Sequence, residues 1–222
     1  MGQAVGESIV FAVGVAVSPI PIIAVVLILL SKRPGANSLT FAVGWILGIA
    51  SVTAVVILAS GAIDIGTDNS PSTGVSVVKL GMGVLVMLLG ARYWRKRPAA
   101  GEPAPLPKWL QALETITPAK SGGFGVLLSV NPKSLLLIVA GGLAISGAPA
   151  SPGVKVVAGT LFVAVAVSTV VVPVVLAYVL GARVQPWLES TNSWLAANNI
   201  TVMAVLLVVI GIALIGKGIS GF

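Results

Sequence analysis

The sequence predicts an all-α integral membrane protein of six transmembrane helices, arranged as an inverted 3+3 repeat. Two observations place the chain in the membrane: 57% of its 222 residues are hydrophobic and only 9% are charged, with a mean hydropathy of +1.09. About a quarter of the residues of a soluble domain are charged, so this chain has too few charges for a solvated surface. A third observation, a sequence repeat across the two halves, predicts the internal symmetry.

Six apolar runs are each long enough to cross a hydrocarbon core of about 30 Å, which takes roughly 20 helical residues. They divide the chain into a first three-helix repeat (1–94), a linker (95–122) and a second three-helix repeat (123–222). The six predicted spans lie near 8–30, 39–60, 77–94, 123–146, 155–180 and 200–218.

The lysines and arginines predict the orientation of these spans. Those between spans lie mostly after the first, third and fifth, whereas the other side has only Lys79, Lys155 and Lys217. Because basic residues are retained in the cytoplasm, we expect the cytoplasmic (inner) membrane, both termini outside and the linker 95–122 inside. The same bias explains the net charge of +7 without a nucleic-acid partner. The cytoplasmic set is Lys32, Arg33, Arg92, Arg95, Lys96, Arg97, Lys108, Lys120 and Arg183.

The linker has two parts. Residues 95–107 are basic and then rich in proline and alanine, as in a solvated connection. Residues 108–120 place apolar side chains at helical spacing, which predicts a short helix on the inner leaflet with one buried face. That face consists of Trp109, Leu110, Leu113 and Ile116.

The repeat is clearest between residues 14–22 and residues 125–133. GVAVSPIPI aligns with GVLLSVNPK at an offset of 111 residues, which pairs Ser18 with Ser129 and Pro21 with Pro132. By the predicted topology the first span enters from outside and the fourth from inside. Similar segments that run in opposite directions are typical of inverted repeats in transporters.

The prolines of this repeat predict a break in the first and fourth spans. Proline has no N–H and clashes with the carbonyl four residues earlier, and broken backbone at membrane depth is tolerated only inside protein or beside a cavity. Ser129 and Asn131 are suited to cap the new helix start, and Lys133 is too costly to face lipid. We therefore predict a midplane site for an anionic ligand. Its residues are Ser18, Pro19, Pro21, Ser129, Asn131, Pro132 and Lys133.

The composition excludes several chemistries. The chain contains no cysteine and no histidine, which rules out thiolate and imidazole metal sites, thiol redox chemistry and Ser–His catalysis. The predicted spans contain no Asp or Glu, the residues typical of proton relays in membranes. We expect no catalytic residues, no metal, no cofactor and no enzymatic activity.

Two short motifs resemble those of the lysine-exporter superfamily, whose six-span members have Pro-x-Pro in span one and Asn-Pro-Lys in span four. Here these are Pro19-Ile20-Pro21 and Asn131-Pro132-Lys133. The stretch 107–137 is similar to the actinobacterial branch of glycopeptidolipid- or sulfolipid-addressing proteins. The resemblance implies export of a lipid or lipid-linked glycolipid. Ile20 departs from the glycine usual in the amino-acid exporters.

Alternatives remain open on the residues alone. One is an exporter of amino acids or other small solutes. Another is a non-transporting scaffold that docks lipid-synthesis enzymes on the linker 95–122. The Gly44-Trp-Ile-Leu-Gly48 motif fits a close helix crossing, and packing within the chain is favoured over a homodimer.

The absence of native cysteine makes the predicted orientation directly testable. In intact cells, Ser70→Cys should react with an impermeant thiol reagent and Gly101→Cys should not, because these residues lie on opposite sides of the membrane. The reverse labelling would overturn the orientation.

Overall fold

The computed structural model describes residues 2–31, 33–62, 73–97, 110, 113 and 115–219. Regular structure in these ranges is helical, without strands, which confirms the predicted all-α class. A 3₁₀ turn, Gly181–Val184, precedes the last helix. The α-helices are α1 (Gly2–Ala16), α2 (Pro19–Leu29), α3 (Pro34–Ala62), α4 (Thr73–Arg95), α5 (Pro118–Ser129), α6 (Pro132–Ser146), α7 (Pro152–Leu180) and α8 (Gln185–Ile219).

Length and apolar composition mark this chain as a membrane protein. Two helical stretches of the described chain, Pro34–Ser60 and Pro152–Gly216, suffice to cross a bilayer, and the second contains α7, the 3₁₀ turn and α8. Two bent pairs, α1 with α2 and α5 with α6, raise the number of candidate spans to four if each pair forms one span. The count of six spans and the inverted repeat stay predictions.

Both predicted breaks are present. The axes of α1 and α2 differ by 50°, and those of α5 and α6 by 62°. In each case the second helix begins at a proline, Pro19 or Pro132. The predicted breaks at the two proline elements are therefore confirmed, and the assignment of each bent pair to a single span stays a prediction.

The last helix is longer than the sequence predicts, since α8 begins at Gln185 rather than near residue 200. Leu188 and Leu195 are buried, whereas Trp187 and Trp194 are exposed. Each pair is seven residues apart, which places its members on the same face of a helix. Because polar residues lie between these leucines, the start of α8 contains no continuous apolar run and was not predicted as part of the last span.

The chain forms two compact units. The first comprises Met1–Gly61 and Pro105–Ala196, and the second comprises Ala62–Ala104 and Ala197–Phe222. Each unit combines a segment from the first half of the chain with one from the second half. The predicted division into 1–94, 95–122 and 123–222 describes a sequence symmetry and stays a prediction.

The second unit is held by small residues at a close crossing of α4 with α8. A Cβ atom at Gly83 would lie 2.8 Å from the backbone of Ile215, and one at Gly211 would lie 2.9 Å from that of Met87. Close approach of helices at small residues is a main source of stability where lipid removes the hydrophobic driving force.

In the first unit, α1 packs against α6 and α7, and α2 packs against α7. Glycines also bring α3 onto α5. A Cβ atom at Gly44 would overlap the carbonyl of Gly122, and one at Gly48 would overlap the hydroxyl of Ser129. The close crossing that the Gly44 and Gly48 spacing predicts is thus confirmed, and it lies within the chain.

Two leucines in the segment before α5 are buried. Leu110 is 2% exposed and Leu113 is 1% exposed. Asn37 of α3 fixes the segment, since its Nδ2 donates to the carbonyl of Ile116 at 2.7 Å and its own carbonyl accepts from Ser121 Oγ at 2.7 Å. The burial of Leu110 and Leu113 fits the predicted buried face, and the short helix on the inner leaflet stays a prediction. Trp109, residues 98–107 of the linker and the outer loop from 64 to 72 lie outside the described residues.

Two glycines of α5 provide a matched test of the α3–α5 crossing. A Cβ atom at Gly125 would overlap the carbonyl of Phe41, whereas none of the atoms around Gly123 lies within 4 Å of its Cβ position. We expect Gly125→Ala to destabilise the protein by about 1–3 kcal/mol through overpacking, and Gly123→Ala to be neutral. Thermal unfolding in detergent measures the difference, and equal effects of the two substitutions would contradict this packing.

Candidate functional site

The first break separates α1 from α2 at Ser18. This residue has an extended backbone (φ −67°, ψ 115°), and Pro19 follows at the first position of α2. Its N–H still bonds to the carbonyl of Val15 at 3.1 Å, a short-range bond that closes α1. Pro19 cannot continue α1 because it has no N–H and its ring clashes with the preceding turn.

The second break separates α5 from α6 at Asn131, which also has an extended backbone (φ −64°, ψ 151°). Its Oδ1 accepts from the backbone N–H of Ser134 at 3.0 Å. Its Nδ2 donates to Ser134 Oγ at 2.8 Å and also to the carbonyl of Leu128 in α5. The predicted capping role of Asn131 is confirmed, and the same side chain ties the two half-helices together.

The two breaks correspond in a register that the sequence alignment does not give. The cap positions are Ser18 and Asn131 and the helix starts are Pro19 and Pro132, both pairs 113 residues apart. The alignment predicts an offset of 111 and pairs Pro21 with Pro132. The reason is that proline is favoured at the first position of a helix, and Pro19 takes that position in α2. In this register Ile20 is the counterpart of Lys133.

Ser129 does not cap α6, in contrast to the prediction. Its hydroxyl donates to the carbonyl of Val126 within α5 at 2.7 Å, and the fully buried side chain fills the space beside Gly48. Ser18 holds the cap position of α2 but makes no side-chain cap bond. A role of either serine in substrate binding stays a prediction.

Lys133 connects the two breaks. It is the second residue of α6, and its Nζ donates to Ser18 Oγ at 3.3 Å. A cation in the first turn of a helix opposes the dipole of that helix, but one near a helix C-terminus is favoured. The half-buried Lys133 therefore lies at the N-terminus of α6, where the dipole of that helix disfavours a cation. It also lies beside the C-terminus of α1, at Ala16, where the dipole of α1 favours one.

A third helix completes this region. Thr169 of α7 donates its hydroxyl proton to the carbonyl of Ala16 at 2.5 Å. In a continuous helix the carbonyl of Ala16 would accept from the N–H of Ile20, but the break at Pro19 ends that ladder, so a neighbouring helix supplies the donor. Buried Pro173 of α7 lies four residues after Thr169 and has no N–H for the carbonyl of Thr169. The sequence analysis missed Thr169, although a threonine four residues before a proline in an apolar run is a detectable signal.

The helix starts offer fewer backbone donors than the sequence analysis expects. Pro19 and Pro21 have no N–H, so Ile20 carries the only N–H among the first three residues of α2. In α6, Pro132 has none and the N–H of Ser134 already bonds to Asn131. Anion binding by a helix N-terminus depends on such N–H groups. Electrostatic attraction for an anion here rests mainly on the Lys133 ammonium.

The site has one buried side and one exposed side. Ser18, Pro19 and Pro21 are buried. On the other side Pro132 is exposed, and Val130 and Leu127 are 36% and 60% exposed. The ammonium of Lys133 thus lies where packed protein meets an apolar outer surface.

The two bent pairs of apolar helices, whose breaks are connected by the bond from Lys133 to Ser18, are typical of a membrane protein with polar groups inside its helical bundle. The chain belongs to the sulfolipid-1-addressing protein family, whose model, SfLAP, described as "Sap, sulfolipid-1-addressing protein", matches residues 9–220. This match covers both breaks and confirms the resemblance to the glycolipid-addressing proteins. Comparisons with the curated proteins and with the solved structures gave no significant match. Membership of the wider lysine-exporter superfamily stays a prediction.

The Thr169 bond can be tested against a threonine of the same helix. Thr169→Val keeps the shape but leaves the Ala16 carbonyl without this donor, which should destabilise the protein by about 1–3 kcal/mol. Thr160→Val should have a smaller effect, because the Thr160 hydroxyl is exposed and bonds only within α7, to Val156 at 3.0 Å. Thermal unfolding of the two variants in detergent compares them. Equal unfolding temperatures would show that Thr169 does not support the break.

Proposed function

We propose that this protein transports an anionic lipid or lipid-linked glycolipid across or out of the cytoplasmic membrane. Its family is involved in sulfolipid or glycolipid addressing, and the proposal adds a transport step and a site. The polar head group would bind Lys133 between the two breaks, and the lipid tails would stay in the bilayer.

The observation that carries the proposal is the bond from Lys133 Nζ to Ser18 Oγ at 3.3 Å. It brings a cation to the junction of two broken helices, and phosphate, sulfate and carboxylate groups all bind a lysine ammonium well. The exposed Pro132 and Val130 beside it favour access from the side of the bundle. A lipid enters such a site without withdrawing its tails from the membrane.

The same bond suggests how binding could drive movement. An anion at Lys133 competes with Ser18 for the ammonium and so weakens the contact between the α1–α2 break and α6. A ligand shifts a conformational equilibrium only through different affinities for the two states. We expect the head group to favour a state in which α6 has moved away from Ser18, while Thr169 keeps its bond to Ala16.

The orientation that accompanies this proposal follows from the basic residues. Both termini would lie outside, and the linker 95–122 would lie in the cytoplasm. Enzymes that synthesise the lipid could then dock on the linker, and a homodimer is not required. No cofactor or metal enters the proposed step.

A second candidate is a non-transporting scaffold of a lipid-synthesis complex. The close packing of Pro19, Pro21 and Ser129 favours it, because a rigid break needs no moving ligand. Export of an amino acid is less well supported, since the exposed apolar side of the site suits a lipid better than a small polar solute.

Substitution of Lys133 distinguishes these candidates. Lys133→Met preserves length and apolar volume, so the folded yield should be maintained. Export of anionic glycolipid per folded molecule should fall about tenfold or more, because a hydrogen bond to a charged group contributes about 1.5–3 kcal/mol. Lys133→Arg should restore part of the activity. The measurement is the ratio of outer to inner glycolipid pools in a deletion strain that expresses each variant.

Lys155→Met is the matched control. Lys155 is also half-buried, but its Nζ donates to the carbonyl of Ser146 at the C-terminus of α6, at 2.6 Å. Its loss should lower stability without changing export per folded molecule. A Lys133→Met protein that folds poorly yet exports normally per folded molecule would refute the proposed role. If the wild-type protein binds lipid-synthesis enzymes but exports no glycolipid, the scaffold is favoured.

A further inference from the structure

A cavity lies in the first compact unit, away from Lys133. Its volume is about 330 Å³, and its walls come from the end of α2, the start of α3, the end of α7 and the turn into α8. Pro19 and Leu29 are ten residues apart on α2, or about 15 Å at 1.5 Å per residue. The cavity and the Lys133 site therefore lie at opposite ends of α2.

The floor of this cavity is closed and mainly apolar. Leu29, Val184 and Leu188 are 7%, 4% and 1% exposed. Tyr178 closes one side, since its hydroxyl donates to the carbonyl of Gly35 at 2.7 Å and so joins α7 to the start of α3. Such a floor suits the glycerol region or the first carbons of an acyl chain.

Two arginines are sequence neighbours of residues that line the cavity, although neither belongs to the lining itself. Arg33 precedes the lining residue Pro34, and Arg183 lies between the lining residues Ala182 and Val184. Both arginines are exposed. Glu189 of α8 is exposed as well, but it is not among the residues that line the cavity. The long side chain of arginine can extend from either position toward the opening, and two guanidinium groups there would match a phosphodiester, which arginine binds with paired hydrogen bonds.

The surroundings of the cavity favour a lipid as its occupant. Tyr178, Val179 and Leu180 next to the opening are 56%, 73% and 45% exposed. Exposed aromatic residues beside basic residues are typical of the membrane–water interface. By the orientation predicted from charge, this end of α2 and α7 faces the cytoplasmic leaflet, where anionic lipids attract basic residues.

We infer that this cavity is a second lipid site, which holds an anionic phospholipid of the cytoplasmic leaflet. Arg33 and Arg183 bind its phosphate, and the apolar floor holds the part of the lipid next to the head group. The occupant ties the α2–α3 connection to the α7–α8 turn. This site is independent of the transport proposed for Lys133, because it lies at the other end of α2 and uses other residues.

The test uses the purified full-length chain in lipid nanodiscs and native mass spectrometry. Wild-type protein should retain phosphatidylglycerol at least tenfold more often than phosphatidylcholine. Arg33→Gln combined with Arg183→Gln should lower that preference severalfold and leave only the retention that the Lys133 site supplies. The control combines Arg92→Gln with Lys120→Gln, which removes two exposed charges predicted on the same side of the membrane and should leave the preference intact.

A variant that keeps all charges separates the cavity from general attraction to anionic membranes. Ala182→Phe places a ring at a lining residue that is itself exposed, and it should reduce phosphatidylglycerol retention by displacing the lipid. Lys133→Met should lower phosphatidylglycerol retention only in part, because the cavity keeps both arginines, and this holds whether or not the variant exports glycolipid. Equal retention by wild type and the Arg33/Arg183 variant, or an equal loss in the Arg92/Lys120 control, would overturn the inference.

Discussion

Every other feature of the site depends on one constraint: a carbonyl released by proline inside a membrane helix must find another donor. In lipid no water is available to satisfy such a group. At the first break Thr169 bonds to the carbonyl of Ala16, and at the second break Asn131 bonds to that of Leu128. These bonds fix α7 beside the first break and hold α5 and α6 at their bend. The breaks are therefore built into the packing of the unit and are not local defects.

The glycines of α3 and α5 also help to hold the second break in place, because they allow close packing of the two helices. Gly44 and Gly48 let α3 approach α5 closely, and Ser129 fills the space beside Gly48 at the C-terminal end of α5. A rigid α3–α5 pair leaves the second break as the place where the chain turns toward α1. The bond between Lys133 and Ser18 then follows from backbone packing and does not require a long excursion of the lysine side chain.

The sequence predicts the breaks well because proline acts through local sterics, which one sequence is enough to reveal. It predicts the capping role of Asn131 for the same reason. It does not predict the bond of Thr169 or those of Asn37 to the segment before α5, because these depend on which helices become neighbours. The breaks correspond in a different register from the sequence repeat, which pairs Pro21 with Pro132, because the choice of helix start between Pro19 and Pro21 depends on backbone geometry. The start of α8 was missed because its buried leucines are separated by polar residues.

Lys133 is the residue for which packing alone gives the weakest explanation. Its counterpart in the structural register is Ile20, so an apolar side chain fits the equivalent position of the first break. In the first turn of α6 a positive charge opposes the helix dipole, and insertion of a lysine into a membrane helix costs about 3 kcal/mol. The choice of an ammonium is explained if a ligand uses its charge, and an anion that arrives from the exposed side beside Pro132 is the ligand that this arrangement fits best.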